Sequence, residues 1–424
     1  MSPIEIGAYS VFAIVGLIYF GVYIPVALGL VSFASIWLIS GKSILAFNFL
    51  KIAVSDGVTE YPFATIPLFT VMGLLVSKAG LGTDIYTVLN RGFRKLTGGI
   101  GMATVGANAV FAAVTGSSIA SASVFTRIAV PEMRKLNYNK RFAVGVVAGS
   151  SVLGMIIPPS AMLIIYAFVS EQSVGDMFLA GIVPGLILTA AYIVWIFVSG
   201  RLRPSYIGHA INEAQDVPLT YFEVADKTLP ILALIFIVLG GIYTGWLTPV
   251  EAGAAGALAA LIIALIRRKI TWRGLWETAI ETGHISAAIL FLIAMASLYS
   301  RMLGYAGLPN ALDAYLQARQ FGFIEVMFIY VLLMLFLGTI LDTASIILIV
   351  VPLFITLIET MGMDLVWFGI VTVIGAEIGL LTPPLGISCF VIKASLNDPE
   401  VSLKDVFFGA FPFAVIMLLV LILL

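Results

Sequence analysis

Apolar runs of bilayer-spanning length, about 20 residues, recur near 4–20, 24–40, 61–78, 141–169, 176–199, 228–246, 250–266, 277–300, 364–394 and 405–424. Two further apolar stretches, 98–133 and 322–358, are each interrupted in the middle by small and hydroxyl-bearing residues. The first interruption reads Thr115-Gly116-Ser117-Ser118-Ile119-Ala120-Ser121, and the second reads Gly338-Thr339-Ile340-Leu341-Asp342-Thr343-Ala344-Ser345. Basic clusters bracket the first stretch, with Arg91, Arg94 and Lys95 before it and Arg134, Lys135, Lys140 and Arg141 after it. Lys and Arg mark the cytoplasmic side of a membrane protein, so that stretch enters and leaves on one side, as a re-entrant helical hairpin. Non-helical backbone survives at membrane depth only inside protein or along a cavity, which makes the tips functional candidates.

Each hairpin is followed by a helix broken at paired prolines, which lack a backbone N–H and restrict the preceding residue. The breaks read Gly154-Met155-Ile156-Ile157-Pro158-Pro159-Ser160 and Gly379-Leu380-Leu381-Thr382-Pro383-Pro384, 225 residues apart. Ala79-Gly80-Leu81 matches Ala306-Gly307-Leu308, and Gly181-Ile182-Val183-Pro184 matches Gly409-Ala410-Phe411-Pro412. Interrupted apolar segments at corresponding places in two halves point to a transporter's binding site. Shorter helices near 81–95 and 307–319 would link a spanning helix to each hairpin.

Counting crossings from the basic side puts Arg201, Arg203, Arg267, Arg268, Lys269 and Arg273 inside, and the N-terminus, Asp56, Glu60, Glu171 and Asp176 outside. The second hairpin then enters from outside, and the two repeats are inverted relative to each other. Lys51 and Arg319 fall on the outer side against the rule. The expected fold is an all-α polytopic membrane protein of two inverted repeats, each with a re-entrant hairpin and a Pro-Pro-broken helix. Its parts are scaffold helices at 1–95, hairpin and broken helix at 96–172, a closing helix at 173–200 and a connector at 201–227. The second repeat follows as 228–320, 321–396 and 397–424. The connector carries Arg201, Arg203, His209, Glu213, Asp216, Glu223, Asp226 and Lys227 and reads as a solvated link. Thr248-Pro249-Val250-Glu251 has the form of a helix start with a capping box.

Composition agrees with the membrane reading. The chain is 61% hydrophobic and 11% charged, where soluble domains carry roughly 25% charged residues. A net charge of −1 offers no surface for nucleic acid. The single Cys389 excludes a disulfide framework and a thiolate metal site. No basic segment precedes the first apolar run, Met1-Ser2-Pro3-Ile4-Glu5, which argues against a cleaved signal peptide.

Several of these motifs together resemble one family. They are Gly116-Ser117-Ser118, Val130-Pro131-Glu132-Met133, Tyr138, Phe142-Ala143, the 154–160 break, Tyr166, Leu179-Ala180-Gly181-Ile182-Val183-Pro184-Gly185, Leu341-Asp342-Thr343 and Gly379 to Gly386 through Leu385. The whole chain is similar to the large membrane subunit of the tripartite ATP-independent periplasmic (TRAP) transporters. The resemblance implies a bacterial inner-membrane secondary transporter with an elevator-type mobile domain, driven by a sodium gradient. It also implies two partners, a small membrane subunit and a periplasmic binding protein that delivers an organic acid of the sialic acid or C4-dicarboxylate class. No cofactor is implied beyond sodium as coupling ion. Asn137 stands where the family usually has glycine, which a left-handed turn tolerates, and Arg127 where a small residue is usual.

The tips carry chemistry of their own. A sodium ion needs several hard oxygen ligands, and broken helices supply unwound carbonyls and hydroxyls. Candidate cation ligands in the first half are Ser117, Ser118, Ser121, Ser150 and Gly154, with Ser151 beside them. In the second half they are Thr339, Thr343, Ser345, Gly379 and Thr382. The plain alternative is that these residues only let helices pack closely. Charges inside a membrane are costly and need a reason. Asp342 is the one carboxylate in either tip and would help form the substrate cavity, with Ser160, Ser123 and Arg301 as further substrate candidates. A guanidinium suits a carboxylate, although Arg301 and Arg127 can also snorkel to an interface. Glu377 reads either as a cation or proton site or as a buried hydrogen-bonding group, and His284 as a satisfied core residue.

Other classes fit less well. An intramembrane hydrolase needs a nucleophile, a base and an oxyanion site, and the two His are remote from the Ser clusters. An open channel does not call for hairpins facing broken helices. The nearer alternative is a stand-alone sodium–anion symporter without a binding protein. Membrane lipid is the remaining expected partner.

Overall fold

The structure is a computed structural model that describes residues 1–93, 95–207, 220–384, 386–396 and 398–424, with the backbone alone at 56–58. Arg94, Leu385, and His209, Glu213 and Asp216 of the connector lie outside the described residues, as does the side chain of Asp56. Every regular element among the described residues is helical. The first half runs α1 (Pro3–Tyr19), α2 (Ile24–Ser40), α3 (Ser43–Thr59), α4 (Thr65–Lys78), α5 (Leu81–Phe93), α6 (Gly99–Thr115), α7 (Ser118–Lys135), α8 (Lys140–Ser151), α9 (Leu153–Ile156), α10 (Ala161–Val169) and α11 (Val174–Leu202). A short α12 (Pro204–Ile207) precedes the second half. That half runs α13 (Tyr221–Ile235), α14 (Gly241–Tyr243), α15 (Pro249–Ile266), α16 (Trp272–Ala306), α17 (Leu308–Ala318), α18 (Phe323–Gly338), α19 (Thr343–Thr360), α20 (Leu365–Leu380), α21 (Ile387–Ser395) and α22 (Leu403–Leu423), with a π turn at Phe236–Gly240 between α13 and α14.

Local sequence sets many of the helix starts. Ser2, Thr220, Thr248 and Ser402 each cap a helix and are answered three residues on by Glu5, Glu223, Glu251 and Asp405, satisfying two end donors reciprocally. Asn137, where the resemblance led to a left-handed turn, has φ 59° between α7 and α8.

Seven helices among the described residues are long and apolar enough to cross a membrane, and α8–α9 with α10 form an eighth span bent by 44° at the first break. α1 and α2, at 17 residues each, sit at the lower limit of spanning length. α19, expected as a hairpin arm, has spanning length, and most of its residues are buried inside the protein. The helix anticipated at 277–300 is α16, whose 35 residues reach about 52 Å at 1.5 Å per residue.

One helix was not anticipated and two expectations need correcting. The chain between the second and third spans contains α3, whose apolar positions are broken up by Asn48 and Lys51, so no continuous apolar run announced it. It packs through Phe47 on Phe33 and Phe49 on Tyr305, with ring centroids 5.0 and 5.6 Å apart. His284 is exposed on α16 rather than set in the core, because the α16 segment around it packs on its own chain mainly through Thr278 and Ser286. The connector's last residues are not merely solvated: Lys227 pairs with Asp84 of α5 at 3.0 Å, and Arg267 pairs with the same carboxylate.

The ends of α22 locate the two helix pairs. At its start Asp405 pairs with Lys140 and Arg141, each at 2.9 Å, and nearby Arg134 pairs with Glu400 at 2.6 Å. The base of the α6–α7 pair therefore lies at this end. At the other end the Leu424 carbonyl accepts from Trp367 Nε1 at 3.0 Å, and Trp367 packs on Phe323 at the start of α18. The two ends are separated by about 29 Å of helix. The first broken helix starts at the Asp405 end and reaches Tyr166, whose hydroxyl donates to the Leu365 carbonyl at 2.6 Å. The second starts at Leu365 and returns to Lys393, which donates to the Asp398 carbonyl at 3.0 Å.

Candidate functional site

Each interrupted turn is seated on the break that follows it. Gly116 closes α6 with φ +60°, a conformation L side chains rarely adopt, and a Cβ there would stand 2.4 Å from the Pro159 carbonyl oxygen. A Cβ on Gly154 would stand 2.8 Å from the Ser117 carbonyl group. In the second half Gly338 and Gly379 take the same part, backbone against backbone. Glycines at these places let the backbone at the turns and helix ends meet without a side chain between.

The hydroxyls of the first turn divide into two groups. Ser117 is an N-cap that accepts from Ala120 N at 3.3 Å, and Ser160 is another, accepting from Leu163 N at 3.4 Å and donating to the Met155 carbonyl. These oxygens are occupied in holding helix ends. Ser118 and Ser121 are buried, and neither hydroxyl has a protein hydrogen-bond partner. Ser150 donates to the Val146 carbonyl and accepts from Asn108 Nδ2, both at 2.6 Å, and Asn108 Oδ1 is buried without a partner. Ser151 bonds the Ala148 carbonyl at 2.9 Å. Burying an unpaired hydroxyl or amide oxygen costs free energy; Ser118 and Ser121 carry such oxygens at the turn, and Asn108 carries one about two helical turns back along α6. Asn108 was absent from the sequence reading. Its signal was there: it is the single amide in the apolar run Gly99–Thr115.

In the second turn Asp342 caps α19, accepting from Ser345 N at 3.3 Å and from the Ser345 hydroxyl. Thr343 donates to Glu377 Oε1 at 2.7 Å, and Glu377 is buried with Oε2 unpartnered. Thr339 and Thr382 bond back to the Phe336 and Ile378 carbonyls, each at 2.8 Å. Gly379 supplies the close approach to Gly338.

Two predicted residues stand apart from the turns. Ser123 accepts from Ser395 of α21 at 3.4 Å, further along the return arm. Arg301 lies in a cavity of 920 Å³ between α16 and the segments Glu60 to Phe63, Phe168 to Ser173, and Leu348 with Pro352 on α19. Ser297 and Ser300 share that wall, and Arg301 Nε reaches Ser297 Oγ at 3.4 Å. Arg127 is exposed. No group of three His, Cys, Asp or Glu able to hold a metal occurs among the described residues.

A family model described as the DctM component of the tripartite ATP-independent periplasmic transporter matches residues 11–424. A C4-dicarboxylate TRAP transporter large permease protein of Pseudomonas aeruginosa is 32% identical over 401 residues, covering 93% of this chain and 90% of that protein. A sialic acid TRAP transporter large permease of Vibrio cholerae is 28% identical, covering 91% and 88%. An isethionate TRAP transporter permease, DctMQ, of Oleidesulfovibrio alaskensis is 28% identical, covering 99% of this chain and 64% of its own length. Among solved structures the Alcanivorax borkumensis YdaH transporter superposes with a TM-score of 0.67 at 13% identity, over 89% of this chain and 87% of that one. At that identity the likeness concerns the fold.

Proposed function

This chain belongs to the DctM component family of the tripartite ATP-independent periplasmic transporters, and we propose that it imports an organic acid by sodium-coupled elevator movement of one domain. As a large permease subunit it is a multi-pass inner-membrane protein and not an enzyme, and its family works with a small membrane subunit and a periplasmic binding protein. That membership favours the tripartite reading over a stand-alone symporter.

The observation that carries the sodium reading is the pair of turns seated on their breaks, with buried orphan oxygens beside them. Ser118, Ser121 and Asn108, with the carbonyls around Gly154, would ligate one ion. Thr343, Ser345 and the carbonyls near Gly379 would contribute to a second, with Asp342 beside it facing substrate. The inverted-repeat reading is supported by the bases of the helix pairs lying at opposite ends of α22 and by the two broken helices running in opposite directions. The scaffold would comprise α1–α5 and α13–α17, and the moving body the helix pairs, broken helices and closing helices. The cavity holding Arg301 opens between these bodies on the face of Glu60 and Glu171. It would receive a carboxylate-bearing substrate from the binding protein. The relatives' substrates, C4-dicarboxylate, sialic acid and isethionate, are all small acids, and the substrate here is placed in that class.

Proteoliposomes holding this chain with its small subunit, supplied with the binding protein outside, test the reading. Uptake of radiolabelled acid should follow an imposed sodium gradient and require the binding protein. Full uptake on a proton gradient without sodium would overturn the ion assignment.

A further inference from the structure

The two breaks are covered differently. At the first, Pro158 and Pro159 are buried, and α11 lies across them, with Gly181 against the Ile156 carbonyl and Gly185 against Ile157. At the second, Pro383 and Pro384 are exposed. Beside them runs an apolar groove of 380 Å³, floored by Leu335, Thr382 and Pro383 and walled by Phe408, Phe411 and Leu418 of α22. No described element of the chain fills it.

Three features identify the occupant. The groove's α22 wall extends from Phe407 to Leu418, about 16 Å at 1.5 Å per residue, which is about one leaflet of a hydrocarbon core roughly 30 Å thick. Its mouth lies at the basic end of α22, where two cations bracket one ring: Arg141 stands 5.4 Å and Lys404 5.7 Å from the centroid of Phe408. The carboxylate at that end, Asp405, is buried and answered by both Lys140 and Arg141, so the mouth is net positive. The groove's lining is almost wholly apolar side chains, Leu335, Ile378, Leu381, Phe407, Phe411 and Val415 among them, and Pro383 adds a ring with no N–H to leave unsatisfied.

We propose that this groove is a phospholipid site: one acyl chain of the leaflet at the basic end lies along α22 against Pro383, with its anionic headgroup between Lys404 and Arg141. The lipid would cover the apolar side-chain face beside the second break, where no described helix lies as α11 does at the first.

The test uses the full chain in nanodiscs of phosphatidylcholine containing increasing phosphatidylglycerol. Phe411→Trp places a reporter in the groove, with the unaltered chain as background for the native tryptophans. Brominated phosphatidylglycerol should quench the added signal at a lower mole fraction than brominated phosphatidylcholine. Lys404→Gln should raise the fraction needed about fivefold, the scale of one Lys near an anionic lipid surface. In parallel, photoactivatable phosphatidylglycerol should cross-link the unsubstituted chain within α22 or at 381–384. Equal quenching by both headgroups would overturn the proposal. So would cross-links that avoid the groove, or a groove that cross-links to the small membrane subunit in the assembled complex.

Discussion

Gly379 lies so close to Gly338 that a Cβ on it would stand 2.4 Å from the Gly338 Cα. Neither backbone can yield as a flexible side chain would. Gly379→Ala should therefore force the second turn off its break, at about 1–3 kcal/mol, the usual cost of overpacking. Gly304→Ala, on α16 with open space around it, should be neutral or slightly stabilising. Thermal unfolding in detergent compares the two, and equal midpoints would mean that turn and break are not packed together.

Asp342 holds the start of α19 through Ser345, a task that asparagine can also perform as an N-cap. Asp342→Asn should therefore leave insertion and assembly intact while slowing uptake at least about tenfold, or 1.4 kcal/mol. Wild-type uptake with unchanged sodium dependence would show that the charge itself is not used.

Two ion pairs should differ in weight. The Asp84 and Arg267 side chains are each 16% exposed, whereas Arg273 and Glu277 are 89% and 55% exposed. Asp84→Asn removes the carboxylate shared by Lys227 and Arg267, leaving Arg267 the Asp226 carbonyl at 2.7 Å, and should cost about 1–3 kcal/mol. Arg273→Gln should change stability by less than about 1 kcal/mol. Denaturation midpoints of the two variants decide between them.

The opposed helix pairs predict opposed labelling. Lys135→Cys at the base of α7 and Glu359→Cys near the base of α19 are exposed positions, and the native Cys389 is buried. A membrane-impermeant maleimide added to intact cells should reach 359 and leave 135 unlabelled until the membrane is opened. Labelling of both from one side would remove the inverted arrangement.

Much of this architecture is legible along the chain because its causes are local. An apolar run of spanning length must be helical in a membrane, since every backbone group needs a partner within the segment. Paired prolines interrupt a helix wherever they fall, and Thr248 with Glu251 forms its capping box from residues three apart. The turns at Gly116 and Gly338, the breaks at Pro158 and Pro383, and the linking helices α5 and α17 could all be read this way. α3 could not, since Asn48 and Lys51 break its apolar pattern and its packing on α2 and α16 is what makes it a good helix site.

What only the tertiary structure decided is which oxygens are already spent. By type and spacing, Ser117, Ser118, Ser121 and Ser160 are equivalent hydroxyls beside turns. In the folded chain Ser117 and Ser160 are caps, while Ser118 and Ser121 are buried without partners. Asn108 likewise keeps its oxygen unpartnered, because Ser150, 42 residues away, accepts from its amide nitrogen. The same holds for Asp84, whose partners come from two later helices, and for the open groove at Pro383. Local sequence determines where a helix begins, breaks and turns. The pairing of groups far apart in the chain depends on which surfaces meet, and that is a property of the packed molecule alone.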